Sequence, residues 1–214
     1  MTMKKHILVL AVCLAAVGLS GCASKRSVDY TEFRAHPPRS ILVLPPINES
    51  TEVGGTYGFL STATMPIAEK GYYVFPVSVV DQYMKENGLP TAGEMHQVPL
   101  EKIRDIIGAD AVLYLDLKDY GSKYQVIAST TRVNVTAKLV DVKSGQTIWT
   151  GASLVEQSSS GGSGNIIADL IATALDQVLN STTDYAHTVS RTANYQLVAD
   201  PNTGLLDGPY APKK

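Results

Sequence analysis

The amino-acid sequence predicts an α/β protein with a mixed sheet: early strand–helix units, a three-strand antiparallel meander and a packed C-terminal helix. Two patterns support this fold class. In the first half, short apolar runs alternate with segments whose apolar residues recur every three or four positions. In the second half, strand-like alternating segments follow one another across a tight turn. The chain has 214 residues, which suits one domain with extensions.

The strand–helix units begin at residue 40. An apolar run at 40–44, closed by two prolines, predicts a buried central strand. Helical periodicity follows over 57–70, where Pro66 predicts a kink or a restart and Gly71 ends the helix. The next predicted elements are a strand at 72–75, a helix at 77–87, a loop at 89–98 and a helix at 100–107.

The meander is predicted from three alternating segments, at 111–120, 124–142 and 147–156. Gly145 stands where a hairpin at 141–146 requires a positive φ. A broad apolar stripe predicts a helix over 165–179. Residues 181–214 are expected to be a weakly structured extension, with a short strand at 195–198 and a Pro/Gly-rich tail at 200–214.

The N-terminus has the pattern of a bacterial secretory signal. Lys4 and Lys5 precede an uncharged apolar stretch at 7–19, which is shorter than the about 20 residues of a membrane-spanning helix. The stretch ends in LSGC at 19–22, which resembles the lipobox of bacterial lipoproteins. We therefore predict a signal peptide at 1–21 and lipidation of Cys22, with acyl chains such as palmitate. Ala23 follows in place of an inner-membrane retention Asp, which favours the outer membrane.

Cleavage before Cys22 divides the chain into functional parts. Residues 22–39 become a lipidated N-terminus and flexible tether, and residues 40–180 form the α/β domain. Without Lys4 and Lys5, 16 basic and 20 acidic residues remain, and this balance argues against a nucleic-acid partner. The mature domain has no free thiol, because Cys13 is removed and Cys22 is acylated.

We predict no catalytic residues and no enzymatic activity. Serines occur together at 158–160, but the sequence has no G-x-S-x-G motif. The histidines outside the signal are His36 in the tether, His96 in a loop and His187 in the C-terminal extension. A Ser–His–Asp site built from them would be a coincidence of folding.

No metal or cofactor is predicted either. His96 beside Glu94 is a weak pair of ligands. Asp116 and Asp119 could chelate a hard cation, although a solvated charged strand face is the simpler interpretation. The glycine-rich stretch at 161–164 could cradle a phosphate before a helix, but it lacks the lysine of a P-loop.

Tyrosine is the over-represented aromatic residue, with 11 copies against three Phe and one Trp. Tyrosine combines apolar area with a hydroxyl group, which suits protein interfaces. Half-buried strands also favour aromatic residues, so both interpretations remain open.

The order of motifs resembles the CsgG-related envelope lipoproteins. The lipobox is followed by ILVLPP at 41–46, IGADAVL at 107–113, and LVDVKSG at 139–145 before Ile148 and Trp149. That group includes the curli-secretion pore subunit and the penicillin-binding-protein activator LpoB, with a fold similar to the N-terminal domain of TolB. The segment PPINES at 45–50 resembles more closely a family of bacterial lipoproteins of unknown function, typified by a neisserial surface antigen.

The resemblance implies a lipid-anchored, periplasm-facing outer-membrane protein. We expect it to bind an envelope protein as an accessory component of a secretion-pore or cell-wall-synthesis complex. Self-association of the chain is left open. The alternative is a small-molecule or glycan-binding periplasmic module that uses the loops at 48–55 and 158–164.

Overall fold

One mixed sheet organises the protein. The structure is a computed structural model that describes residues 28–124, 129–158 and 182–212. Its strands are β1 (Ser40–Val43), β2 (Ile47–Asn48), β3 (Tyr73–Val74), β4 (Ala111–Tyr124), β5 (Ser129–Asp141) and β6 (Thr147–Ser158). Its helices are α1 (Thr31–Ala35), α2 (Gly55–Glu69), α3 (Val77–Glu86), α4 (Ala92–Met95), α5 (Leu100–Ile106) and α6 (Thr182–Ala199).

The sheet order is β3-β1-β4-β5-β6, and β2 pairs separately with β4. β1 pairs in parallel with β3 and β4, whereas β4, β5 and β6 are antiparallel neighbours. Parallel neighbours need a crossover, and helices supply it in the first half of the chain. The predicted mixed α/β fold and its three-strand meander are confirmed.

Both faces of the sheet carry a hydrophobic core. Because side chains alternate along a strand, Ile41 and Leu113 face α2 and α6, and Leu42 and Val112 face the other side. Helices α3, α4 and α5 cover that second side, where Met84 lies in the core. These three helices lie against the part of the sheet that β3, β1 and β4 form.

The predicted elements of the first half agree with the structure, with two differences. Helix α2 continues through the buried Pro66, so the predicted restart is wrong. The predicted loop at 89–98 contains the short helix α4, because Thr91 and Glu94 form a capping box at its start. Gly71 and Gly145 have φ angles of 85° and 72°, as the helix end and the hairpin require.

The predicted flexible tether is corrected by α1. This helix lies at residues 31–35, and Phe33 on it is 3% exposed within the core. The hydroxyl of Tyr30 also donates a hydrogen bond to the carbonyl oxygen of Gly204. A single apolar anchor in a polar segment gives no periodicity, which is why the sequence pattern does not show this helix.

The predicted weakly structured C-terminal extension is also corrected. Residues 182–199 form α6, so the short strand predicted at 195–198 is wrong. After α6 the chain packs back on the domain, where Leu205 is 2% exposed. The C-terminal helix of the fold is therefore α6, and the helix predicted at 165–179 lies outside the described residues.

Small and polar side chains form part of the contact between α2 and α6. The Asn194 amide donates to the Thr62 hydroxyl at 2.9 Å, and Thr62 lies 3.1 Å from the Ser190 hydroxyl. All three side chains are buried, so their mutual hydrogen bonds replace those lost to water.

Within the described residues, no helix combines the length and the apolar composition needed to cross a membrane. The predicted signal peptide and Cys22 precede these residues, and the division of the chain at residue 22 stays a prediction.

Candidate functional site

Exposed tyrosines lie on several elements of the domain. Of the tyrosines whose side chains the structure describes, four are more than two-fifths exposed, namely Tyr57, Tyr73, Tyr83 and Tyr210. Others serve the fold, as Tyr72 does when its hydroxyl donates to the carbonyl oxygen of Leu206 at 2.6 Å. Both interpretations of the tyrosine content therefore stay open, and of the four exposed tyrosines Tyr83 lines a groove.

An open apolar groove of about 420 Å³ lies between α3 and α5. We call it the helical groove; Tyr83, Leu89, Val98 and Ile106 are among its lining residues, with Glu94 and Lys102. Tyr83 is 42% exposed and Ile106 is 59% exposed. Large apolar side chains with this exposure are the kind that anchor protein interfaces.

The sequence of each helix explains this placement. On α3, Val80 and Met84 are four residues apart and face the core, so Tyr83 lies beside that buried stripe. On α5, Ile103 is 1% exposed and fixes the helix, which leaves Ile106 at the surface. Buried side chains thus form the bottom of the groove, and exposed side chains form its rim.

A second, more polar depression lies on the sheet beyond the cover of α3, α4 and α5. We call it the sheet cleft, and it has a volume of about 550 Å³. Its lining includes Tyr114 and Asp116 of β4, Thr136 and Lys138 of β5, His96 and Leu100.

His96 forms one wall of the sheet cleft. Its Nε2 lies 2.9 Å from the carbonyl oxygen of Pro45, which can only accept, so Nε2 carries a proton. The imidazole meets the Tyr114 ring edge to face, with 5.2 Å between ring centroids. Burial lowers the pKa of His96, so the neutral form is favoured at neutral pH.

The pairing of His96 with Glu94 considered from the sequence is not formed as a ligand pair. The carboxylate of Glu94 instead accepts hydrogen bonds from the backbone N–H and the hydroxyl of Thr91. In the part of the chain that the structure describes, no group of three His, Cys, Asp or Glu residues could hold a metal ion.

Asp116 and Asp119 are separated by a bulge in β4, where the register shifts between Leu117 and Asp119. Asp119 pairs with Arg132, whose Nε lies 3.3 Å from a carboxylate oxygen. Arg132 also pairs with Glu156 at 2.9 Å. Asp119 thus belongs to a charged strand surface, while Asp116 lines the sheet cleft.

Lys138 lies opposite Tyr114 in the register of β4 and β5, and its Nζ is 5.2 Å from the centroid of the tyrosine ring. This is a cation–π distance. Burial raises the pKa of Tyr114, so its hydroxyl stays protonated.

A serine–histidine contact that the sequence analysis did not find joins α2 and α6. The Ser61 hydroxyl lies 3.0 Å from Nε2 of His187 and 2.8 Å from the carbonyl oxygen of Gly58. Because the carbonyl accepts the serine proton, Ser61 accepts from His187. The contact therefore joins two helices and does not activate the serine as a nucleophile.

The loop at 48–55 is held together by its own hydrogen bonds. The Asn48 amide donates to the carbonyl oxygen of Glu52 at 2.8 Å and accepts from Ser50. The loop at 158–164 lies outside the described residues beyond residue 158, as do the serines at 159–160 and the glycine-rich stretch. The small-ligand site predicted from these two loops therefore stays a prediction.

Comparison with known proteins gives a family and a relative that both match most of the chain. A family model described as "Putative lipoprotein GNA1162-like" matches residues 28–210. The chain is 41% identical over 210 residues to "Putative lipoprotein NMB1124/NMB1162" of Neisseria meningitidis serogroup B, covering 97% of this chain and 96% of that protein. Both descriptions name a lipoprotein, and neither names an enzymatic activity.

One solved structure supports this result. The crystal structure of lipoprotein GNA1162 from Neisseria meningitidis aligns with a TM-score of 0.56 at 41% identity, covering 67% of this chain and 100% of that one. The C-terminal domain of LpoB from Salmonella enterica aligns with a TM-score of 0.40 at 21% identity, covering 56% of this chain and 84% of that one.

Proposed function

This chain belongs to the GNA1162-like lipoprotein family, and from that premise we propose that lipid on Cys22 anchors it in the outer membrane, where it binds another envelope protein on the periplasmic side. The partner expected from the sequence resemblance is a component of a secretion pore or of a cell-wall-synthesis complex.

The position of Val28 supports a short anchor. Val28 is six residues from Cys22 and already packs against the core formed around β1 and β4. At about 3.5 Å per residue, six residues span at most about 20 Å. The domain is then held close to the membrane surface, and a partner must meet it there.

Similar contacts support a choice of which end of the domain lies nearest the anchor. Helix α1 packs against β6, and Tyr30 bonds to Gly204 beside the segment that Trp149 holds. The start of β1 lies near this end of the sheet, since Ile41 is paired with Ala111 and Ala111 with Asp141. We place this end toward the membrane, and the far ends of β4 and β5 away from it.

The helical groove is the observation that carries the proposal. Tyr83 and Ile106 expose apolar surface on a firm floor formed by Met84 and Ile103, which are 3% and 1% exposed. Glu94 and Lys102 add charged groups of both signs to the lining. An apolar centre with charges beside it is the usual composition of a protein-binding surface.

Site-specific photocrosslinking in intact cells tests the proposal. A benzoylphenylalanine residue at position 106 should give a discrete adduct with one envelope protein. The same residue at position 191, exposed on α6 across the sheet, should not give that adduct. Identical adducts at both positions, or none at position 106, would overturn the proposal.

A small-molecule-binding role is the second candidate, and a separate observation favours it. The sheet cleft has the size of a ligand site and brings an aromatic ring together with groups of opposite charge. The two roles use different surfaces, so one can hold without the other.

A further inference from the structure

The sheet cleft contains one acidic and one basic side chain on neighbouring strands. Asp116 lies opposite Thr136, and Lys138 follows two residues later opposite Tyr114. Such a diagonal pair has backbones about 7–8 Å apart, close enough for long side chains to meet. Among the described residues, neither the carboxylate of Asp116 nor the ammonium group of Lys138 has an ion-pair or hydrogen-bond partner.

Neighbouring charges on the same sheet surface are already paired. Lys118, two positions along β4 from Asp116, forms an ion pair with Glu49. Arg132, further along β5 from Lys138, pairs with Asp119 and Glu156. The charges that face the cleft are thus left available for a ligand, whereas those around it hold the strands together.

The side chains around the two charges are held by contacts with one another and are partly apolar. The Tyr114 ring contacts two groups: the centroid of the His96 imidazole and the Nζ of Lys138 each lie 5.2 Å from its centroid. His96 is in turn fixed by its hydrogen bond to Pro45. Leu100 adds an aliphatic surface, and Thr136 adds a hydroxyl beside Asp116.

We propose that the sheet cleft binds a zwitterionic amino acid or short peptide, whose ammonium group contacts Asp116 and whose carboxylate contacts Lys138. The Tyr114 ring and Leu100 contact the aliphatic part of the ligand. A volume of about 550 Å³ is ample for a dipeptide and lies within the range of small-molecule sites. This binding does not depend on the protein partner proposed for the helical groove.

Calorimetric titration of the purified full-length protein in detergent tests the charge requirement. The probe is alanyl-alanine, compared with its N-acetyl form, its C-terminal amide and the doubly blocked form. Because hydrogen bonds to charged groups are the strong ones, each blocked end should weaken binding about tenfold or more. Equal affinity for all four compounds, or no binding of alanyl-alanine at millimolar concentration, would overturn the proposal.

Two variants assign each charge to its ligand group. Asp116→Asn should weaken alanyl-alanine binding about tenfold but leave the weak binding of the N-acetyl form unchanged. Lys138→Gln should likewise weaken alanyl-alanine binding about tenfold and leave the weak binding of the C-terminal amide unchanged. Lys102→Gln removes a positive charge from the helical groove and is the matched control, with wild-type affinity expected.

Stability and a neutral ligand complete the test. The side chains of Asp116 and Lys138 form no hydrogen bond or ion pair in the described structure, so both variants should melt within a few degrees of the wild type. Loss of binding in a folded variant then reports the lost contact. Preference for a neutral disaccharide such as diacetylchitobiose over alanyl-alanine would contradict the zwitterion proposal, as would unchanged affinity in both variants.

Discussion

The indole Nε1 of Trp149 donates a hydrogen bond of 2.9 Å to the backbone carbonyl oxygen of Thr203, which joins β6 to the segment that follows α6. Trp149 is 2% exposed, and it is one of three aromatic side chains that hold this segment. Tyr30 and Tyr72 donate their hydroxyl groups to the carbonyl oxygens of Gly204 and Leu206. Residues 203–206 are thus part of the folded domain.

Replacing Trp149 with Phe should destabilise the domain. The change removes the hydrogen bond and leaves a void in the core, which together should cost about 2–4 kcal/mol of unfolding free energy. Urea unfolding monitored by circular dichroism measures it. Tyr210→Ala, at a side chain that is 65% exposed, is the control and should cost less than about 0.5 kcal/mol. Equal costs for the two variants would mean that the contact with Thr203 contributes nothing.

A substitution at Gly71 tests whether the chain beyond residue 206 packs tightly against the domain. A Cβ atom at Gly71 would lie 2.1 Å from the backbone nitrogen of Ala211, whereas one at Gly88 would meet nothing within 4 Å. Both glycines have φ near +85°, so alanine at either carries a similar backbone cost of about 1–2 kcal/mol. Gly71→Ala should therefore lower the midpoint of urea unfolding more than Gly88→Ala does. Equal midpoints would show that Ala211 moves aside freely.

The fold was predictable from the sequence where apolar side chains are arranged with a regular period. The alternation of β4 and β5 and the buried run of β1 specify the centre of the sheet because most core positions there hold apolar residues, such as Leu113, Leu115 and Val135. Helix α6 could not be found this way. Ser190 and Asn194 occupy buried positions on it and bond to α2, so its core-facing side lacks a continuous apolar stripe.

The candidate site was less predictable than the fold. His96 and Asp116 were candidate ligands in the sequence. Their position beside Tyr114 in the sheet cleft, however, depends on α4 and on the pairing of β4 with β5. The exposure of Ile106 depends on which face α5 turns to the sheet, because Leu100, Ile103 and Ile106 are all apolar residues of that helix. Tertiary packing decides both, and periodicity alone does not.

His96 should make stability depend on pH. Burial lowers its folded-state pKa below the ordinary value of 6.5, so the unfolded chain binds the proton more readily. Above about pH 7 both states are neutral and the group has no effect. As the pH falls below that range, the folded state loses stability until it passes the folded-state pKa.

Urea unfolding at pH 7.5 and pH 5.5 measures this dependence. His96→Gln, which retains a donor for the Pro45 carbonyl, should lose less unfolding free energy between the two pH values than the wild type does. His187→Gln is the control, because it removes a histidine from a different place in the fold, the contact between α2 and α6. An unaltered pH dependence in the His96 variant would contradict the proposed cause.

Lipid anchoring is tested at Cys22. Cys22→Ser removes the thiol that would accept the lipid, so the protein should move from the membrane fraction to the soluble fraction. Cys13→Ser, within the predicted signal peptide, should leave the distribution unchanged. Mass spectrometry of the mature N-terminus shows the acyl groups directly. Retention of the Cys22 variant in the membrane would refute anchoring through this residue.

The central claim is that the helical groove binds the envelope partner, and the most direct test is recovery of the crosslink-identified partner with groove variants. Ile106→Asp places a charge at the rim, whereas Val79→Asp places one at an apolar side chain on α3 that is 63% exposed and outside the groove. Both variants keep Cys22 and should reach the membrane. We predict that partner recovery falls at least about tenfold with Ile106→Asp and stays at the wild-type level with Val79→Asp. Wild-type recovery with Ile106→Asp would contradict the account.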